Sequence, residues 1–185
     1  WSCYFNQLAN TRLQNCQCGH YEVMTSANFS VLRDTFIYAG GFDNNFVHYG
    51  FEDKDLFIRI KNIGVSACCN QASCVWHEDD YSLESMSQKM IEAGRFSAPL
   101  FKMKHQKEYE KLFYSHIDFR CNKMVLFIIS RASFVKFSIL IGEQLIKYKF
   151  PYFIKSLMVR IVLALSFARG SFLASKDLKK QFLNP

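Results

Sequence analysis

The segment between Gly40 and Gly64 constrains the fold and the chemistry of this chain more than any other. Its sequence is GGFDNNFVHYGFEDKDLFIRIKNIG, with glycines at both ends and aromatic and acidic residues between them. Apolar residues recur at spacings of four and three: Leu56, Ile60 and Ile63. This pattern predicts a helix over residues 52–63, preceded by a polar and aromatic loop over residues 42–50.

Two adjacent carboxylates, Glu52 and Asp53, open the predicted helix. Backbone N–H groups and the helix dipole at this end keep a carboxylate ionised. An ionised carboxylate in an aromatic-walled site can act as a general base on a hydroxyl group, and aromatic faces beside carboxylates suit sugars. Capping of an ordinary helix explains the same residues equally well, because acidic first turns are common.

This segment resembles the acceptor-side motif of glycosyltransferase family 2, the inverting nucleotide-sugar enzymes with the GT-A fold. The matching positions agree in order and spacing: Gly40, Gly41, Phe42, Asp43, Phe46, Gly50, Glu52, Asp53, Asp55, Leu56, Arg59 and Gly64. Asn44 or Asn45 stands where the family often has Glu. The upstream stretch TSANFSVLRDTF resembles the family's Gly-Ala-Asn-x-x-x-x-Arg pattern, with Ser26 in place of glycine. The resemblance covers about residues 21–80.

The resemblance implies a role for each site residue. Asp53 would be the catalytic base that deprotonates the acceptor hydroxyl, and Glu52 would orient the acceptor. The implied substrate-binding residues line the acceptor pocket: Asn28, Phe42, Asp43, Gly50 and Phe51. Arg59 is expected to be structural and to tie the helix to the loop. The implied reaction is inverting transfer of a sugar from a nucleotide-diphosphate sugar to a hydroxyl of a glycan or lipid-linked acceptor, in cell-surface polysaccharide synthesis.

A metal site is implied at His77, which follows Asp53 by 24 residues and ends a Cys-x-x-His pattern with Cys74. The resemblance implies that His77 helps to hold a divalent cation, Mn²⁺ or Mg²⁺, which would assist departure of the nucleoside diphosphate. A lone histidine at the end of a strand is usually not a metal ligand. A structural zinc cluster is the rival interpretation of the thiols and imidazoles: Cys16, Cys18, His20, Cys68, Cys69, Cys74 and His77. The odd count of seven cysteines argues against a disulfide framework.

The fold class implied by the resemblance is α/β, the C-terminal half of a GT-A domain, over residues 1–117. A basic, apolar, all-helical tail would follow over residues 118–185. The family's donor-binding half carries an Asp-x-Asp motif after an apolar strand. Because Asp53-Lys54-Asp55 belongs to the acceptor motif, we expect the donor half upstream of Trp1 and this fragment alone to be inactive.

Three further segments have local structure that the residue pattern predicts. A short helix is expected over residues 30–39, and an extended segment over residues 65–76. Helical composition continues over residues 82–115, with breaks expected near Gly94 and Pro99.

The predicted tail is strongly basic. Residues 116–185 contain 12 Lys and Arg against 3 Asp and Glu, whereas residues 1–115 contain 11 against 13. Three arrangements fit an apolar helix with this charge: a helix in the membrane interface, a helical pair buried against the catalytic domain, or a spanning hairpin. Charges in a spanning hairpin would be costly: Arg131, Lys136 and Arg160.

Anionic membrane lipid is the partner that the tail's composition favours. The mostly aliphatic neighbours of the basic residues argue against nucleic acid as a partner. We therefore expect a cytoplasmic protein, peripheral on the inner face of a membrane. A non-catalytic module that binds the membrane surface, stabilised by zinc or by its own core, is the alternative function.

Overall fold

The computed structural model describes residues 24–68, 70, 72–73, 75, 82–121 and 131–183. These residues divide into two compact units. The first unit contains the described residues of 24–45 and 51–75, and the second contains residues 46–50 and the described residues from 82 onwards. The regular elements of both units are helices.

The predicted α/β fold class is wrong for the described part of the chain, because no strand occurs within it. The strands were implied by the family resemblance and not by apolar periodicity. A strand requires a neighbouring strand to accept and donate its backbone hydrogen bonds. In the extended segment expected over residues 65–76, the described residues form no strand, and residues 69, 71, 74 and 76 lie outside the described part of the chain.

The first unit contains two α-helices and a short 3₁₀ turn. In chain order they are the 3₁₀ turn Ser26–Asn28, α1 (Arg33–Tyr38) and α2 (Glu52–Asn62). Both predicted helices are therefore confirmed. Helix α1 begins later than expected because the backbone of Leu32 is extended, with φ −61° and ψ 136°.

The core of the first unit forms where α2 packs on the residues before it. Leu56, Phe57 and Ile60 are buried together with Ala39. The ring of Phe29 meets that of Phe57 edge-on, with centroids 5.1 Å apart. The apolar face of α2 that the sequence predicts thus anchors the segment that precedes α1.

The second unit contains a series of helices. They are α3 (Leu83–Glu92), a π-helical segment (Ala93–Ser97), α4 (Ala98–Lys104), α5 (Gln106–Glu110), α6 (Phe113–Ile117), α7 (Ala132–Lys147) and α8 (Tyr152–Leu183). The expected helical stretch is confirmed, but the expected break at Gly94 is wrong: the chain stays helical from Leu83 to Lys104 and changes to π-helical geometry over Ala93–Ser97. Pro99 causes no break, because it lies in the first turn of α4, where proline is tolerated.

Helix α8 packs on α3, on the π-helical segment and on α7. Small residues allow a close approach: a Cβ atom added to Gly170 would overlap the carbonyl oxygen of Ile91. At the same contact, the hydroxyls of Ser87 and Ser166 are hydrogen-bonded at 2.7 Å. Among the described helices, α8 is long and apolar enough over Tyr152–Asp177 to cross a membrane, but half of that stretch is buried inside the structure, as in a core helix.

A buried ionic network lies at the end of α6. The hydroxyl of Tyr109 donates to Oδ2 of Asp118 at 2.7 Å, and Nη2 of Arg120 donates to the same oxygen at 2.6 Å. Burial alone would raise the pKa of Asp118, but the hydrogen bonds and charge of Arg120 outweigh it and lower the pKa. Burial and the charge of Asp118 together raise the pKa of Tyr109. The predicted domain boundary at residues 117/118 thus lies inside one hydrogen-bonded network, and that division stays a prediction.

Candidate functional site

The two predicted catalytic carboxylates, Glu52 and Asp53, lie in the first turn of α2. The residue before them, Phe51, has a left-handed backbone with φ 73°. This conformation costs a non-glycine residue about 1–2 kcal/mol, and the side chain of Phe51 is buried. The strained turn directs the chain into α2 just before the acidic pair.

Asp53 is attached to the upstream 3₁₀ turn through one of its carboxylate oxygens. The backbone N–H of Ser26 donates to Oδ2 of Asp53 at 3.2 Å. The other oxygen, Oδ1, is a buried atom that accepts no hydrogen bond from the part of the chain that the structure describes. A buried carboxylate oxygen without a donor is uncommon in folded proteins, and solvent does not reach this one.

Asn28 ends the turn that contacts Asp53. Its side-chain Nδ2 donates to the carbonyl oxygen of Ser73 at 2.9 Å. At the start of the turn, Oγ1 of Thr25 accepts the N–H of Ala27 at 3.1 Å. The structure therefore gives Asn28 a structural contact, and its predicted role in substrate binding stays a prediction.

Asp43 and Phe42 lie in the loop that follows α1. Oδ1 of Asp43 accepts the backbone N–H of Asn45 at 2.9 Å and its side-chain Nδ2 at 2.7 Å, which closes a tight turn. The ring of Phe42 is 42% exposed and lies edge-on to Phe36, 5.9 Å between centroids. The predicted roles of Phe42 and Asp43 in substrate binding stay predictions.

Arg59 ties α2 to the glycine turn, as predicted. Its Nε and Nη2 donate to Oδ2 of the buried Asp55 at 3.0 and 2.6 Å. The same guanidinium donates to the carbonyl oxygens of Ala39 and Gly41, the latter at 2.7 Å. Gly40 and Gly41 have φ values of 83° and 62°, which turn both carbonyls towards Arg59.

Gly50, the remaining predicted substrate-binding residue, belongs to the second unit. It has φ 96°, and a Cβ atom added there would lie 3.1 Å from Cβ of Ala93. Close packing within the second unit therefore explains a glycine at this position. Its predicted contact with substrate stays a prediction.

His77, the predicted metal ligand, lies outside the described residues. Among the residues that the structure describes, no group of three or more His, Cys, Asp or Glu side chains could hold a metal ion. Cys68 is the proposed zinc ligand that falls within the described residues, and its free thiol is exposed. The metal and zinc hypotheses are thus untested by the geometry.

A family model described as the N-terminal domain of galactosyltransferase matches residues 11–105, which is just over half of the chain. The chain belongs to this family. Searches of curated proteins and of solved structures find no match. The family range includes the glycine turn, the acidic pair and Arg59, so the glycosyltransferase prediction is confirmed at that level. A domain of this family uses a nucleotide-sugar donor and an acceptor; membership of family 2 stays a prediction.

Two contacts of the galactosyltransferase-type site were not predicted from the sequence. The pairing of Asp55 with Arg59 has a sequence signal, because acidic and basic residues four apart lie on one helix face. The hydrogen bond from Ser26 to Asp53 has no such signal. A backbone donor leaves no trace in residue type, and the two residues are 27 positions apart.

Proposed function

We propose that this chain carries the acceptor side of an inverting glycosyltransferase of the family-2 type, with Asp53 as the general base. The observation that carries the proposal is the hydrogen bond that fixes the carboxylate of Asp53. The backbone N–H of Ser26 holds Oδ2 in the first turn of α2, within the residues that the family model matches. A carboxylate held in one direction suits deprotonation of a bound hydroxyl.

In the proposed reaction, the carboxylate of Asp53 takes the proton of the acceptor hydroxyl. The acceptor oxygen forms a bond to C1 of the donor sugar on the face opposite the leaving group. The bond from C1 to the diphosphate oxygen breaks, and its electron pair leaves with the nucleoside diphosphate. Attack from the opposite face inverts the configuration at C1.

The other predicted site residues receive supporting roles. Glu52 would hold a second hydroxyl of the acceptor and so orient it. Phe42 would contact a C–H face of the sugar, which its exposed ring favours, and Asp43 would line the same pocket. Asn28, Gly50 and Phe51 keep their proposed roles in substrate binding.

The family description makes a nucleotide-diphosphate galactose the first donor to test. The proposed acceptor is a glycan or lipid-linked hydroxyl in cell-surface polysaccharide synthesis. A divalent cation, Mn²⁺ or Mg²⁺, would act as a Lewis acid on the leaving diphosphate. His77 stays the proposed ligand of this cation.

The test is Asp53→Asn in the full-length protein, with UDP-galactose and a panel of sugar acceptors. We expect transfer to fall at least a thousandfold, roughly the loss expected when general-base catalysis is removed, while donor binding measured by calorimetry is retained. Asp34→Asn is the matched control, since Asp34 is an exposed carboxylate in the first turn of α1. Near-normal turnover by Asp53→Asn would show that the base is another residue.

The metal proposal has its own test. Mn²⁺ is titrated into the protein without donor, and the affinity is compared between the wild type and His77→Ala. A lower Mn²⁺ affinity in His77→Ala would support the ligand, whereas equal affinities would contradict it.

The proposed location is the cytoplasmic inner face of a membrane, with the protein bound peripherally. Its support is the basic charge of residues 116–185. Helix α8 packs on α3 and the π-helical segment, and a helix packed within the protein in this way is less suited to crossing a membrane.

A further inference from the structure

Helices α7 and α8 and the four residues between them expose a large apolar surface, which we call the hairpin face. On α7, side chains at intervals of three and four are exposed while the opposite side of the helix is buried. The exposed apolar residues of α7 are Phe134, Phe137, Leu140 and Ile141. The exposed fraction reaches 62% at Phe137 and 61% at Leu140. Since soluble monomers rarely expose large contiguous apolar patches, this surface requires an explanation.

The first turns of α8 extend the hairpin face. Phe153, Leu157 and Ile161 are exposed, Phe153 to 69%. At 100° per residue these positions lie within about 80° of one another on one side of α8. The opposite side, including Val159 and Val162, is buried. Helix α8 therefore has a packed side and a separate exposed side, which is apolar except for Arg160.

The connection between the two helices joins their exposed surfaces. Nζ of Lys155 donates to the carbonyl oxygen of Ile146 at 2.9 Å, which holds the start of α8 against the end of α7. An apolar groove of about 400 Å³ lies here, lined by Leu140, Ile141, Gln144, Leu145, Tyr148 and Phe150. The hairpin face is thus continuous from α7 into the connection.

The charge around the hairpin face identifies the partner. Residues 131–161 contain six Lys and Arg and a single acidic residue, Glu143. Lys136, Lys147, Lys149 and Arg160 are exposed. Exposed tyrosines accompany them in and beside the connection, namely Tyr148 and Tyr152. Tyrosine and lysine beside an apolar surface are typical of segments that lie at the boundary between lipid headgroups and acyl chains.

We propose that the hairpin face binds the surface of an anionic lipid bilayer, with its phenylalanine and leucine side chains inserted below the headgroups and its lysines and arginine at the phosphates. This inference rests on the membrane-surface location proposed above and assigns the surface and the lipid charge. It is independent of the proposed sugar transfer. A protein partner or a second copy would not require the excess of positive charge, whereas an anionic bilayer does.

The test is co-sedimentation of the full chain with extruded vesicles of phosphatidylcholine alone or with one third phosphatidylglycerol. We expect about tenfold tighter partition onto the anionic vesicles, lost at high salt, since each lysine near an anionic surface contributes about 1 kcal/mol. Phe137→Ser and Phe153→Ser should each weaken partition about tenfold. Phe113→Ser is the matched control, because Phe113 is 66% exposed on α6, and it should bind as the wild type does.

Two double variants test the contribution of the lysine charges. Lys147→Gln with Lys149→Gln should remove most of the preference for anionic vesicles, while Lys104→Gln with Lys107→Gln, two exposed lysines elsewhere, should keep it. Thermal melting checks that each variant is folded. If the wild type binds neither kind of vesicle, both the location and the hairpin face are wrong. If it binds and the Phe137 and Phe153 variants bind equally, the location stands and the face is wrong. A dimer that Phe137→Ser dissociates in sedimentation velocity would also overturn the proposal.

Discussion

The backbone N–H of Ser26 donates a hydrogen bond to Oδ2 of Asp53, across 27 residues of chain. The bond connects a 3₁₀ turn with the first turn of α2 and fixes one oxygen of the proposed base. Since catalysis depends on the direction in which a base presents its lone pair, Ser26 is expected to act as a positioning residue through its backbone.

Ser26→Pro removes this N–H, and the extended backbone of Thr25 is compatible with a following proline. We expect kcat to fall about tenfold, the equivalent of one hydrogen bond, with little change in the KM for acceptor. Ser26→Ala keeps the N–H and should retain wild-type kinetics. The measurement is steady-state transfer by both variants. Equal kcat values for the two would contradict the positioning role.

Arg59→Ala is expected to destabilise the first unit by about 3–5 kcal/mol, because it leaves the buried carboxylate of Asp55 without its cation. It also removes the donors to the carbonyls of Ala39 and Gly41. Urea denaturation measures the change in the free energy of unfolding. Lys61→Ala, an exposed position on the same helix, should change it by less than about 0.5 kcal/mol. Similar effects of the two variants would refute the structural role of Arg59.

The Asp118 network predicts a specific dependence of stability on pH. Because folding lowers the pKa of Asp118, its contribution is complete above the unfolded value of about 3.9 and is lost as pH falls through the folded pKa. Asp118→Asn should be less stable than the wild type at neutral pH by about 3 kcal/mol or more, and the difference should shrink below about pH 4. Urea denaturation at a series of pH values measures it. A difference that stays constant into acid would be evidence against the assignment.

Tyr109→Phe tests the same network at high pH. Folding raises the pKa of Tyr109, so its contribution is complete below about pH 10, the unfolded value, and is lost above it. The variant should be less stable by about 1.5–3 kcal/mol at neutral pH, the value of a hydrogen bond to a charged group. It should also lack the alkaline decline attributable to this phenol. Unfolding free energies of both proteins at neutral and alkaline pH provide the comparison.

Two glycines in the second unit form a matched pair of tests. Alanine at Gly170 would overlap the backbone carbonyl of Ile91, which cannot move without disturbing α3. Alanine at Gly142 would meet the flexible end of the Leu83 side chain. Gly170→Ala should therefore lower the free energy of unfolding by about 2–3 kcal/mol. Gly142→Ala should leave it nearly unchanged, because the higher helix propensity of alanine, about 1 kcal/mol, offsets the cost of moving the Leu83 side chain. Thermal unfolding of both variants measures the two changes in stability. A larger loss of stability in Gly142→Ala than in Gly170→Ala would mean that α8 packs differently.

The helices could be predicted because their signals are local. The spacing of Leu56, Ile60 and Ile63 predicted α2, and helical composition predicted the helices between Leu83 and Ile117. The α/β class failed for the described residues because it was inferred from resemblance, and strand pairing is not encoded in any one segment. The galactosyltransferase family match confirms a glycosyltransferase in general, while the inverting mechanism and the roles of Glu52 and Asp53 stay predictions.

By itself, the sequence determined the glycosyltransferase character, the helix that carries Glu52 and Asp53, and the structural role of Arg59. Each depends on residue type and spacing along a short stretch of chain. Three features were decided by the tertiary structure alone. They are the hydrogen bond from Ser26 to one oxygen of Asp53, the close approach of Gly170 to α3, and the choice of apolar side chains of α7 and α8 that stay exposed. These features arise when distant backbone groups and helix faces meet, and no local pattern records which groups will meet.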